Sequence, residues 1–195
     1  MAKVTGPLLS LDARGQIGKA LVFSNWKGIQ DVRQFVVPSN PNTAAQQTQR
    51  GKITSMNALW HSTPWTADDL TAWNVFAAEM SSVMSGFNAF TRQYCADIKA
   101  GLTVVQMSNI VVSAEDDDGF TVVADVASDE TCSLYLGAKK TQMTIPFLGV
   151  FSVDHLTFTV TGLDPSTTYY FYLLNEAANK AGRTGIYTAD TTATP

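Results

Sequence analysis

Histidine and cysteine are scarce in this chain, with two of each among 195 residues. His61 and His155 have no cysteine or carboxylate neighbour at zinc-ligand spacing, so neither reads as a metal ligand. Cys95 and Cys132 stand far apart, which excludes a disulfide framework and a Cys-x-x-Cys cluster; both read as buried free thiols. Charge is thin as well: 15% of residues are charged, against 45% hydrophobic. That balance is ordinary for a folded chain and argues against disorder over the whole length. Long apolar runs are missing. No stretch approaches the ~20 residues of a membrane span, and Met1-Ala2-Lys3-Val4-Thr5-Gly6-Pro7 lacks the apolar run of a signal peptide. The expectation is a protein made in a host cytoplasm, without a membrane partner.

Catalytic signatures are equally absent. There is no Gly-x-Ser-x-Gly elbow. Gly15-Gln16-Ile17-Gly18-Lys19-Ala20 lacks the spacing and the Ser or Thr of a phosphate loop, and it precedes a strand. Glu115-Asp116-Asp117-Asp118-Gly119 lacks the closing Glu of a calcium loop and reads as an acidic turn. A Ser-His-Asp arrangement assembles in space rather than in sequence, but His155 falls in a region with few places for a cleft. No cofactor, no metal and no enzymatic activity are expected.

What is present is organised in two halves. Residues 1–52 hold seven basic and two acidic residues, a local charge of +5, whereas residues 53–195 carry −9. Complementary halves suit contact between copies or docking on an acidic partner. No nucleic-acid-binding motif accompanies the basic half, so nucleic acid is not expected as a partner. From Lys19 to Trp26 and from Ile29 to Val37 the residues favour strands around a Lys27-Gly28 turn, which predicts a β-hairpin ended by Pro38. Thr43 with Gln46 fits a capping box for a helix over 43–61, with Ile53, Met56 and Trp60 on one face. Thr66-Ala67-Asp68-Asp69 starts a second helix striped by Leu70, Trp73, Ala77 and Met80. A third, after Gly86, carries Phe87, Phe90, Tyr94 and Ile98 and stops near Gly101.

Beyond Gly101 the period changes. Seven short strand-like segments separated by Gly, Asp, Asn and Pro predict a β-sandwich. The fold expected is an α+β N-terminal domain over 1–100, a hairpin plus about three helices, followed by an all-β sandwich over 101–195.

Two resemblances sharpen this. Leu163, Pro165, Thr167 and Tyr169 match the Leu-x-Pro-x-Thr-x-Tyr run of fibronectin type III domains, and Asn175 and Gly182 fit the last hairpin. The resemblance covers about residues 102–192 and implies an Ig-like sandwich with Tyr169 as its tyrosine corner. The usual Trp of the second strand is missing from Phe120–Val126. The N-terminal part resembles a family of uncharacterised phage and prophage proteins, through Gly18-Lys19, Val22-Phe23, Trp26-Lys27-Gly28, Val32-Arg33, Val37-Pro38-x-Asn40-Pro41-x-Thr43, Gln46-x-x-x-Arg50, Ala72-Trp73 and Gly86-Phe87-Asn88-Ala89-Phe90. That resemblance implies a virion component: a capsid decoration or a tail or neck protein whose partners are other virion proteins and copies of itself. Trp26, Lys27, Arg33 and Arg50 are the residues expected at a subunit contact, an exposed aromatic beside cations being a natural anchor. The alternative is an adhesion module whose sandwich binds a cell-surface glycan or protein.

Overall fold

The computed structural model describes residues 3–4, 13–26, 29–37 and 39–193. Contacts divide the chain into two compact units, residues 1–43 and 44–195.

The first unit is a four-stranded antiparallel sheet in the order β1 (Lys3–Val4), β2 (Ala13–Ile17), β3 (Leu21–Trp26), β4 (Ile29–Gln34). β3 and β4 form the expected hairpin, closed by the pair Trp26↔Ile29. The two tip residues, Lys27 and Gly28, lie outside the described residues. Gly18 turns the chain from β2 to β3 with φ +58°, a left-handed conformation that favours glycine.

The second unit begins with three helices, α1 (Ala44–Ser62), α2 (Ala67–Ala78) and α3 (Gly86–Lys99). The start of α2 is fixed by a capping box. The Asp69 N–H donates to Thr66 Oγ1 (3.2 Å), and the Thr66 N–H donates back to the Asp69 carboxylate (3.0 Å). Ser85 caps α3 by accepting from the Asn88 N–H. The helices bury Met56, Trp73, Phe76, Ala77, Ala89, Phe90 and Tyr94 in one cluster, with Trp60 and Trp65 packed against it. Trp73 meets Phe90 edge-on at 5.3 Å between centroids, so the helical tryptophans serve packing.

Ten strands follow: β5 (Thr103–Val104), β6 (Met107–Ser113), β7 (Phe120–Val126), β8 (Cys132–Gly137), β9 (Ile145–Leu148), β10 (Val150–Ser152), β11 (His155–Val160), β12 (Thr168–Asn175), β13 (Lys180–Ala181) and β14 (Tyr187–Asp190). They build two antiparallel four-stranded sheets, β10-β11-β7-β6 and β14-β12-β8-β9, and a small parallel pair, β13-β5. Between Met143 and Phe151 the chain is divided at Gly149: β9 joins one sheet and β10 the other. Alternation is clean where a strand has one wet face. In β7, Phe120, Val122, Ala124 and Val126 are buried, and the residues between them are not. Facing sheets meet through Val122, Leu156 and Phe158 on one side and Leu134, Phe171 and Leu173 on the other, all fully buried. Burying each such side chain is worth ~1.5–3 kcal/mol. Tyr169 forms the expected corner: its hydroxyl accepts from the Asp164 N–H at 3.0 Å.

The helical cluster extends past Gly101. Ile186 belongs to the helical cluster, and Val104, Met143 and Tyr170 pack against it. The helical layer therefore covers the outer face of the β14-β12-β8-β9 sheet, and helices and strands share one compact unit. The division of the chain falls at Thr43 rather than at the expected seam near Ala100-Gly101-Leu102.

Candidate functional site

Several buried polar groups of the second unit hold layers together. Asp69 is fully buried on α2. Besides capping the helix it accepts from the Asn109 N–H (2.9 Å), the Ile110 N–H (3.3 Å) and the Tyr187 hydroxyl (2.7 Å). The two backbone donors are free because β6 bulges between Ser108 and Val111, with Asn109 at φ 51°. Burial, and then the negative charge of Asp69, push the Tyr187 hydroxyl far above its ordinary pKa. The sequence marked Asp69 only as an acidic residue in the first turn; its spacing from Thr66 was the available signal for the cap, and nothing local signalled the strand partners.

A second locking point is Arg183. Its guanidinium lies 4.2 Å from the Phe76 ring centroid and 4.3 Å from that of Tyr172, clamped between helix and strand. The Tyr94 hydroxyl donates to the Arg183 carbonyl at 2.9 Å. Glu130, 3% exposed, receives bonds from Lys180 Nζ (2.7 Å), Ser128 Oγ (2.8 Å) and Asn175 Nδ2 (3.0 Å). Burial pushes its carboxyl up, but those three donors outweigh it and hold the pKa below the usual value.

The arrangement nearest to a catalytic one is a row across β6, β7 and β11. Ser108 pairs with Asp125 and Asp125 with His155, beside a shallow hollow of about 300 Å³. His155 Nδ1 lies 2.8 Å from Asp125 Oδ1, and the other carboxylate oxygen accepts from Asn109 Nδ2 at 3.1 Å. The carboxylate stands in the middle of this row. A Ser-His-Asp triad needs the imidazole there, with its second nitrogen on the hydroxyl; here the Asp125 position separates His155 from Ser108 across the strands. His61 ends α1 and is exposed. Among the described residues no group of three His, Cys, Asp or Glu side chains is placed to hold a metal ion. In the acidic run, Asp116 Oδ1 accepts from the Asp118 and Gly119 N–H groups and Asp118 Oδ1 from the Gly162 N–H, the bonds of a turn. Cys132 is buried, and Cys95 partly so.

A larger groove, about 370 Å³, runs between α2 and the edge strands β6 and β14, lined by Thr66, Thr71, Val75, Val111 and Thr188 among others. Asp68 and Tyr187 also line it, and the Tyr187 hydroxyl is already engaged by the Asp69 carboxylate.

The residues expected at a subunit contact are placed as follows. Trp26 closes the β3–β4 hairpin, and only its backbone is described. Lys27 lies outside the described residues. Arg33 is exposed on the edge strand β4, and Arg50 is exposed on α1. Arg33 and Arg50 belong to different units. In the first unit no described side chain is buried, and Ile17, Leu21, Val32, Val36 and Val37 are exposed, Val37 to 73%. A concavity of about 550 Å³ beside Val22, Arg33, Phe35 and Val36 adds to this apolar surface.

These features define a β-sandwich with a helical layer on one face, preceded by a sheet on which Ile17, Leu21 and Val32 are exposed. No family model and no curated protein matches the chain. Solved structures similar to part of it are sandwich domains, among them the fifth fibronectin domain of Drosophila Lar (17% identity, TM-score 0.32, covering 48% of this chain and 99% of that one). A fibronectin type III domain from the human KIAA0970 protein is similar at 15% identity and TM-score 0.36, covering 60% of this chain and 89% of that one. A myokine structure is similar at 14% identity and TM-score 0.36, covering 47% and 98%. The N-terminal resemblance to phage proteins has no counterpart among these comparisons.

Proposed function

We propose that this chain is a non-enzymatic structural component of a tailed-phage virion, a capsid decoration or a tail or neck protein. The N-terminal unit attaches it to the assembly, and the fibronectin-III-like sandwich with its helical layer is the body so attached. The observation that carries this reading is the sheet of residues 13–34. Ile17, Leu21 and Val32 are exposed on it, and residues 1–52 are net basic whereas residues 53–195 are net acidic. A monomer gains nothing from such a surface, whereas an assembly component uses it to bind neighbours. The buried polar groups support the same reading, since Asp69, Arg183 and Glu130 join layers instead of converging on a pocket.

The test is direct. Particles from a lysate in which the gene is expressed are purified on a density gradient and probed with antibody against the full chain. The chain should co-sediment with the major capsid protein, and rising salt should release it if basic residues contribute. Capsid-containing particles free of the chain would refute the proposal.

A second reading, adhesion through the sandwich, is favoured by one observation. Ile145, Leu148, Val150 and Val153 are all exposed along β9, β10 and the turn after it, Val153 to 81%. Binding of the full chain to a glycan array, lost on Leu148→Ser with Val150→Ser, would support that reading.

A further inference from the structure

We infer that β4 is a self-pairing edge, and that two copies of this chain join there by a two-fold antiparallel strand contact. The strand is the last in its sheet among the described residues, with β3 on one side only. The Phe35 N–H donates to the Ala20 carbonyl across the hairpin at 2.8 Å. Backbone groups alternate in direction along a strand, so those of Arg33 and Asp31 also face β3. The N–H and C=O groups of Gln30, Val32 and Gln34 therefore point outward, along an edge where Val32 is 55% exposed.

The segment Ile29-Gln30-Asp31-Val32-Arg33-Gln34-Phe35 is symmetric in residue class about Val32. Laid antiparallel on a second copy with Val32 opposite Val32, it sets Gln30 opposite Gln34. That register matches outward-facing backbone groups to outward-facing ones, so the ladder can close. It also sets Asp31 of each copy opposite Arg33 of the other, twice, at the non-hydrogen-bonded pairs where side chains approach most closely. Centring on Gln30 or Gln34 also matches backbone groups but pairs neither charge with its opposite. Centring on Arg33 or on Asp31 also matches backbone groups but sets that residue opposite its own like charge. One register alone satisfies both the ladder and the charges, as an isologous contact requires. Two four-stranded sheets would then form one continuous sheet. Since Phe23 pairs with Val32 and Leu21 with Gln34, and cross-strand partners share a face, the exposed apolar residues of both copies would lie on one side of it.

A contact of one short strand is small, so the free chain should dimerise weakly and gain strength only where copies are already gathered. The inference stands apart from the virion reading, because the protein alone tests it. Sedimentation of the full chain from micromolar to near-millimolar concentration should show a monomer–dimer equilibrium. Asp31→Arg and Arg33→Asp should each raise the dissociation constant at least about tenfold by opposing like charges. The double variant D31R/R33D restores both pairs in mirror order and should regain the dimer. Mixing the two single variants should give a one-to-one heterodimer, since one presents two cations and the other two anions. Recovery in the double variant and the mixture excludes misfolding as the cause of the loss. A wild-type monomer throughout the range, or single variants that dimerise like wild type, would overturn the inference. So would a double variant and a mixture that both remain monomeric.

Discussion

Asp69 and Tyr187 are separated by 118 residues, yet the hydroxyl of one donates to the carboxylate of the other at 2.7 Å. The same carboxylate caps α2 and holds the β6 bulge. Asp69→Ala leaves those donors buried without an acceptor and should destabilise the second unit by about 3 kcal/mol or more. Tyr187→Phe removes one charge-assisted bond and should cost about 1–3 kcal/mol. Urea midpoints measure both, and the double variant should lose less than the sum. Additive losses would mean the two groups do not interact.

Gly185 sits where the backbone before β14 meets α2. A Cβ there would lie 2.3 Å from the Ala72 carbonyl carbon and 2.5 Å from the Trp73 nitrogen. Next to it, the Ile186 N–H donates to the Ala72 carbonyl at 3.0 Å. Backbone cannot yield as a side-chain end can, so Gly185→Ala should cost about 1–3 kcal/mol. An unchanged thermal midpoint would show that helix and strand do not come this close.

Glu130 should give the protein an acid-sensitive component. Its carboxyl titrates below its ordinary value in the fold. The stability it adds is therefore complete above the unfolded glutamate value, about 4.3, and is lost as pH falls through the lower folded value. Glu130→Gln should destabilise at pH 7 by about 1–3 kcal/mol and flatten the decline in acid. Denaturant titrations at several pH values decide it, and parallel curves for variant and wild type would count against this role.

Burial pushes the Cys132 thiol up to about 12, and burial also raises that of Cys95. At neutral pH Cys132 is almost wholly the unreactive thiol. Ellman's reagent should modify the partly exposed Cys95 slowly and Cys132 only at the rate of unfolding. Rapid reaction of both in native protein would contradict the packing of β8.

The β10–β11 turn carries Val153 at φ 44° and Asp154 at φ 64°. Both angles are left-handed, and a β-branched residue resists that region. Val153→Asn should stabilise by about 0.5–1 kcal/mol, read as a higher melting temperature; a lower one would contradict the turn conformation.

The helices, the β3–β4 hairpin and the sandwich strands were legible because each is written locally, in period, caps and turn residues. The join between helices and sandwich was not. Yet one sign stood in the chain: Tyr169 to Leu174 is apolar at every position, and a strand apolar on both faces is one covered on both. Tyr169, Phe171 and Leu173 fill the sandwich, while Tyr170 packs against the helical cluster. Arg183 was invisible for a related reason, since an arginine held between Phe76 and Tyr172 depends on rings far away in sequence. Of the expected contact residues, Arg33 is the one on which the inferred strand pairing draws, through the edge position of β4 among the described residues.

The carboxylate of Asp69 has a mechanical consequence. Sandwich domains strung on linkers swing on those linkers, and tension is taken up by straightening them. Here the first strands of the sandwich follow α3 directly, and their bulge is tied to the cap of α2. A pull on the far end of the sandwich is therefore passed to the helices through the bonds at Asp69, at Arg183 and between Ile186 and Ala72, with no linker between them to straighten.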